Sequence, residues 1–259
     1  MTDLFAILTE LTGLARTQAL IGFAVFLRVG ALMLMLPAFA EQVVPVRVKL
    51  AIALAFTIIV TPAVSASLPA TDPFPTQLFA TEVISGLLLG FGIRVFIFAL
   101  QIAGAIAAQA TTLSQMFGGI GPEPQPIIGN VLLIAALAAA VSAGLHVRVA
   151  ELLILSYTVL PAGDWPTPSD VAQFGIAQVG YAFSLGFTLA APFVIASVLY
   201  NVALGFINRA MPQLAVSFVG APALTLGALA LLALSAPAMI ALWLTLLNAY
   251  LSNPMVPLP

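Results

Sequence analysis

The sequence predicts an all-α integral membrane protein with about six long, partly broken hydrophobic helices. Two observations carry that prediction. Of 259 residues, 62% are hydrophobic and 6% charged, with a mean hydropathy of +1.18, whereas soluble domains carry about 25% charged residues. Such a chain cannot clothe a surface facing water. The apolar residues also fall into runs that approach or exceed the roughly 20 needed to cross the hydrocarbon, separated by short stretches rich in proline and charge. No polar stretch is long enough for a separate soluble domain, so a single membrane unit is expected over 1–259. A net charge of −2 without a basic cluster argues against nucleic acid and against a polybasic lipid-binding face. With no cysteine and one histidine, disulfides are excluded and neither a metal nor another cofactor is expected.

The opening stretch lacks the positive n-region of a cleavable signal; it carries Asp3 and Glu10. Leu4, Ile7, Leu8, Leu11 and Leu14 recur at helical spacing, which fits either a short amphipathic helix at the membrane surface or a helical extension of the first span. That span, 19–40, holds Arg28 near its middle. A central arginine costs about 2.5–3.5 kcal/mol on insertion scales, against gains of about 0.3–0.6 for each Leu, Ile, Phe or Val. Arg28 is therefore expected to face protein. A polar corner with Pro45, Arg47 and Lys49 follows, then a second segment at 50–60, extending to 68 if Pro62 does not end it.

Segment three, 78–108, is too long for one untilted span. Glu82, Gly86 and Gly90 lie at four-residue steps and share one helical face, and the two glycines allow close helix packing. Arg94 has turned away from Glu82 by about 120°, since each four-residue step overshoots a turn by about 40°. Each of these two charges is expected to meet a partner on another helix.

Residues 109–126, QATTLSQMFGGIGPEPQP, cannot form a continuous helix because three glycines and three prolines interrupt them. Irregular backbone at membrane depth is tolerated only where protein buries it or water lines it. The stretch reads as a loop outside the membrane or as a re-entrant loop lining a pathway. Segment four, 127–160, is apolar until His146, Arg148 and Glu151; the last two are spaced to pair on one helix. Two long apolar stretches close the chain, 175–207 with Pro192 and 214–251 with Pro222 and Pro237. Both exceed the hydrocarbon thickness, so they must kink, break or enter protein surroundings. If all six segments cross, the positive-inside rule places Arg47, Lys49 and Arg209 on the cytoplasmic side.

Between the last two segments, Arg209 is the sole charge after Asp170. It sits in Asn-x-x-x-Gly-x-x-x-Arg-x-x-Pro-Gln-Leu, formed by Asn201, Gly205, Arg209, Pro212, Gln213 and Leu214. This run resembles the signature of the FliR/SctT family of type III secretion export-gate subunits. Other stretches agree in order and spacing: PVRVKLAIALAFTIIVTP from Pro45 to Pro62, the Glu82–Gly86–Gly90 helix, Ala103-Gly104 before Gln109, and His146, Ser156 and Pro161. The chain departs from the family at Ala110-Thr111, at Gly121-Pro122-Glu123-Pro124, at Ala215 and at Ala221.

The resemblance implies a non-enzymatic subunit of the inner-membrane export gate, shared in kind by flagellar and injectisome systems; of the two, the flagellar gate is the expectation. It implies a FliP-like part over 1–170 followed by a FliQ-like helical hairpin over 171–259. It implies assembly with FliP-like and FliQ-like subunits, alongside FlhB-like and FlhA-like export components, into a channel for unfolded protein substrates. The site would be the bacterial inner membrane at the flagellar basal body, with helices raised towards the periplasm. Charges inside the apolar segments, Arg28 and Arg94, would then find partners at subunit interfaces. The resemblance names Gln109, Ser114, Gln115, Met116, Phe117, Gly118 and Gly119 as channel-plug residues. It names Glu82, Gly86, Gly90, Arg94, Asn201, Gly205, Arg209, Pro212 and Gln213 as inter-subunit or helix-packing residues. For Arg209, an interfacial anchor is the competing role. No P-loop, HExxH or GxSxG motif is present. A small-solute secondary transporter is the alternative on composition, and it would require an internal repeat with matching broken helices.

Overall fold

A computed structural model describes residues 2–37, 39, 44–68, 75–110, 127–210 and 216–254, and among them every regular element is helical. The elements are α1 (Thr2–Met35), α2 (Val46–Val64), a 3-10 turn (Ser65–Ser67), α3 (Thr76–Ala110), α4 (Ile127–Ser142), α5 (Leu145–Val159), α6 (Pro168–Ala210) and α7 (Val216–Ser252). Five helices are long and apolar enough to cross a membrane, and six spans result if α4 and α5 form one broken span. The all-α membrane architecture expected from hydropathy is thus present.

Local chemistry explains the boundaries. α1 runs unbroken from Thr2, so the opening stretch extends the first span instead of lying apart from it. Pro37 stops α1, because proline disfavours helical backbone in the residue before it. In α2, Pro62 lies inside the last turn and the helix ends two residues later. Proline's own φ suits a helix, and a missing N–H so near the end removes one bond only. The apolar run 127–160 is divided at Gly144, whose φ of 84° is left-handed, a conformation that costs glycine least. Thr167 then opens α6: its Oγ1 accepts the Asp170 N–H at 3.3 Å, with Pro168 in the first helical position, where no N–H is needed. α6 continues through Pro192 for 43 residues, about 64 Å at 1.5 Å per residue, roughly twice the hydrocarbon thickness.

Packing groups the chain into two compact units. The first comprises Met1–Arg94, Gly144–Ile176 and Asn248–Pro259. In it, α2 packs on α1 and on α5, and α1 lies parallel to α3 at close approach. A Cβ on Gly86 would sit 2.8 Å from Ala31 Cβ and closer still to the Arg28 carbonyl oxygen. One on Gly90 would sit 2.7 Å from Met35 Cβ. The Tyr250 hydroxyl donates to the Leu89 carbonyl at 3.2 Å and occupies the space beside Gly92.

The second unit comprises Val95–Ala143 and Ala177–Leu247. Its core holds Phe96, Leu100, Leu132, Ala190, Phe193 and Trp243. Trp243 Nε1 donates to the Phe96 carbonyl at 2.9 Å, which satisfies the indole's one polar atom. Phe96 also meets the rings of Tyr181 and Trp243 edge-on. The backbones of Gly104 and Gly129 touch, leaving no room for a side chain at Gly104.

Candidate functional site

Inside the first unit lies a closed polar cluster made by α1, α3 and α5. Arg28 and Glu82 are both fully buried. The guanidinium grips the carboxylate as a fork: Nε donates to Oε2 and Nη2 to Oε1, each at 2.8 Å. Nη1 donates to Ser156 Oγ at 3.0 Å and Nη2 also donates to the Leu160 carbonyl at 2.9 Å. These bonds use four of the five N–H donors that a guanidinium carries. Tyr157 contributes twice. Its hydroxyl donates to Glu82 Oε2 at 2.8 Å, and its ring lies 3.7 Å beneath the guanidinium carbon. The Ser156 hydroxyl donates in turn to the Leu153 carbonyl at 2.7 Å.

The arrangement follows from the backbone. Gly86 lets α3 approach the α1 backbone at Arg28 itself, which brings Glu82, one turn earlier, level with the guanidinium. Leu160 ends α5 before Pro161, and its carbonyl is turned to Arg28 instead of continuing a helix. An ion pair out of water survives only if geometry is good and the remaining lone pairs and protons are largely satisfied; here the fork is bidentate and four of the five guanidinium N–H groups have acceptors. With both charges paired and out of contact with solvent, the cluster clamps three helices together.

Insertion cost places Arg28 against protein, and the structure agrees. The subunit-interface expectation for Arg28 does not hold, because its partners lie within the chain. Glu82 pairs with Arg28 across helices. Arg94 is half-buried on α3. Sequence alone gives no reason to assign Ser156 and Tyr157 to a charge; the one available signal is a run of three hydroxyls, Ser156 to Thr158, after an apolar stretch of α5. Arg148 and Glu151 do pair along α5, at 3.2 Å, with both side chains at least half exposed, a geometry that contributes little.

Asn201, Gly205 and Arg209 share the exposed final third of α6. A Cβ on Gly205 would meet nothing within 4 Å, so no packing among the described residues requires that glycine. Pro212 and Gln213 lie outside the described residues. Gln109 is exposed in the last turn of α3, whereas Ser114, Gln115, Met116, Phe117, Gly118 and Gly119 lie outside the described residues.

Comparison with known proteins adds to this geometry. The sequence profile of bacterial export proteins, family 1, matches residues 19–250. Over 234 residues the chain is 31% identical to the flagellar biosynthetic protein FliR of Caulobacter vibrioides, covering 87% of this chain and 92% of that protein. It is 30% identical over 207 residues to FliR of Escherichia coli K12, covering 78% of each. Against FliR of Bacillus subtilis 168 the identity is 27% over 205 residues, 76% of this chain and 79% of the other. The matched span takes in both Arg28 and Glu82 and the whole of α2 through α6.

Proposed function

The chain belongs to the bacterial export proteins, family 1, and from that premise we propose that it is a structural, non-enzymatic subunit of the flagellar protein-export gate in the bacterial inner membrane. In this reading it assembles with FliP-like and FliQ-like subunits into a channel for unfolded proteins, next to FlhB-like and FlhA-like components. Residues 1–170 correspond to the FliP-like part and 171–259 to the FliQ-like hairpin, a likeness of segments that is separate from the packing units. The assembled helices stand partly raised towards the periplasm.

One observation carries the assembly. The two long helices of the closing segment, of 43 and 37 residues, outreach a bilayer and keep bare apolar faces: Leu199 is 66% exposed, Phe206 71% and Leu234 80%. Apolar surface extending past the hydrocarbon needs protein against it. The face bearing Asn201, Gly205 and Arg209 is the docking face, with Gly205 admitting a neighbouring backbone. Purified in mild detergent, the chain is expected to bring FliP-like and FliQ-like proteins with it, identified by mass spectrometry. Recovery of the chain alone, with saturable solute uptake in liposomes, would favour the transporter reading instead.

The loop after Gln109 is the proposed plug, with Met116 and Phe117 closing the channel. Replacing both by alanine is expected to raise ion leakage through the resting gate in cells, read as growth sensitivity or dye entry. Unchanged permeability would remove the plug from this loop.

A further inference from the structure

A second feature of the first unit is unrelated to the clamp. Between α1 and α2 runs a groove of about 580 Å³ lined by Gly22, Phe23, Phe26, Leu54, Ile58 and the last turn of α2. Its two threonines add no polarity: Thr57 Oγ1 donates to the Ala53 carbonyl and Thr61 Oγ1 to the Thr57 carbonyl, both at 2.7 Å. The wall therefore offers no free hydrogen-bond donor to an occupant. No described residue fills it, since a Cβ on Gly22 would meet no atom within 4 Å, and Ile58 is 73% exposed.

The groove has a charged end. Arg47, Leu54 and Ile58 fall on one face of α2, separated by seven and then four residues. Arg47 lies about 16 Å from Ile58 along the axis at 1.5 Å per residue, close to half of the ~30 Å hydrocarbon thickness. Arg47 is exposed, Lys49 is half-buried in the same turn, and neither is paired with any described residue. On α1, Gly30 likewise has open space at its Cβ.

An apolar groove whose α2 face runs on for about half the thickness of the hydrocarbon to Arg47, a cation with no partner among the described residues, matches the shape and charge of one molecule class. We propose that the α1–α2 groove holds one acyl chain of an anionic phospholipid whose phosphate sits against Arg47. With six crossings, the positive-inside rule puts Arg47 and Lys49 on the cytoplasmic face, the leaflet in which anionic lipids create a negative surface potential. Occupancy covers the exposed α1–α2 face and braces α2 against α1 beside the clamp. This inference stands apart from the export-gate reading, so its failure would leave family membership untouched.

The test is native mass spectrometry of the delipidated full chain, titrated with phosphatidylglycerol and with phosphatidylcholine of the same acyl chains. One phosphatidylglycerol is expected to be retained about five-fold more strongly than phosphatidylcholine, the preference that one basic residue at a membrane surface confers. Arg47→Gln should abolish the preference and leave weak retention of both lipids. Gly22→Leu, which fills open space, should lower retention of both. Equal retention of the two lipids by the unaltered chain, or retention unchanged in both variants, would overturn the proposal. So would a photoreactive benzophenone side chain in place of Ile58 that, in cells, forms adducts with another protein and none with lipid.

Discussion

Glu82→Ala is expected to destabilise the chain by about 3–5 kcal/mol, the usual cost of stranding one partner of a buried ion pair. Arg28 cannot escape the penalty by losing its proton, because guanidinium stays charged in proteins. It is fully buried, so water cannot reach it without parting α1 from α3 and α5. The loss should appear as a lower midpoint of thermal unfolding in detergent and as a lower steady-state level in membranes. Arg28→Ala should be of similar size, since it leaves the Glu82 carboxylate with only the Tyr157 hydroxyl, 2.8 Å away. Removing both charges is the informative case. Arg28→Met with Glu82→Leu replaces the pair by apolar side chains of similar bulk, and should recover most of the loss, because the pair offsets its own desolvation more than it adds net stability. A double variant worse than either single one would show instead that the pair contributes strongly in its own right. Tyr157→Phe keeps the ring under the guanidinium and removes one charged hydrogen bond, for about 1.5–3 kcal/mol.

That clamp also shows where sequence reasoning reaches and where it stops. Hydropathy exposes the six apolar segments because hydrocarbon thickness imposes a minimum length. The insertion cost of Arg28 places it against protein for the same kind of reason, one residue at a time. Its partner is another matter. Glu82 is 54 residues away, and the pairing depends on α1 and α3 running parallel at glycine spacing, a fact of packing that no local window contains. Gly86 and Gly90 announce a close neighbour without naming it. Ser156 and Tyr157 stay hidden because hydroxyls in apolar helices commonly bond their own backbone, as Ser156 does with the Leu153 carbonyl. The break at Gly144 is invisible for an energetic reason: one glycine in a helix costs only about 1 kcal/mol, so its presence does not force an interruption. For the N-terminal stretch, a surface helix and an extension of α1 share the same apolar period, and periodicity cannot separate them. The Asn201–Gln213 motif is legible as a pattern, while the purpose of its open glycine resides in whatever packs outside the chain.

Gly86→Leu is expected to be at least as damaging as losing Glu82. The position faces the Arg28 carbonyl and Ala31 Cβ, neither of which can rotate aside as the tip of a long side chain could. Ordinary overpacking costs about 1–3 kcal/mol, but here the helix that must retreat is the one carrying Arg28. A shift of α1 by even one ångström opens the 2.8 Å contacts of the fork, so the steric cost and the electrostatic cost arrive together. Gly90→Leu meets Met35 Cβ and the Leu32 carbonyl, a turn further from the fork, and should show the steric part alone. Gly180→Ala on α6, where a Cβ meets nothing, serves as the control and should stabilise by about 0.4–1 kcal/mol through reduced freedom of the unfolded chain. The decisive measurement is a double-mutant cycle between Gly86→Leu and Glu82→Ala. If both act by undoing the same Arg28 contact, their effects must be clearly less than additive, because a pair already broken cannot be broken again. Full additivity would mean that α1–α3 packing and the ion pair are energetically independent, and that close approach at Gly86 is not what sets the fork.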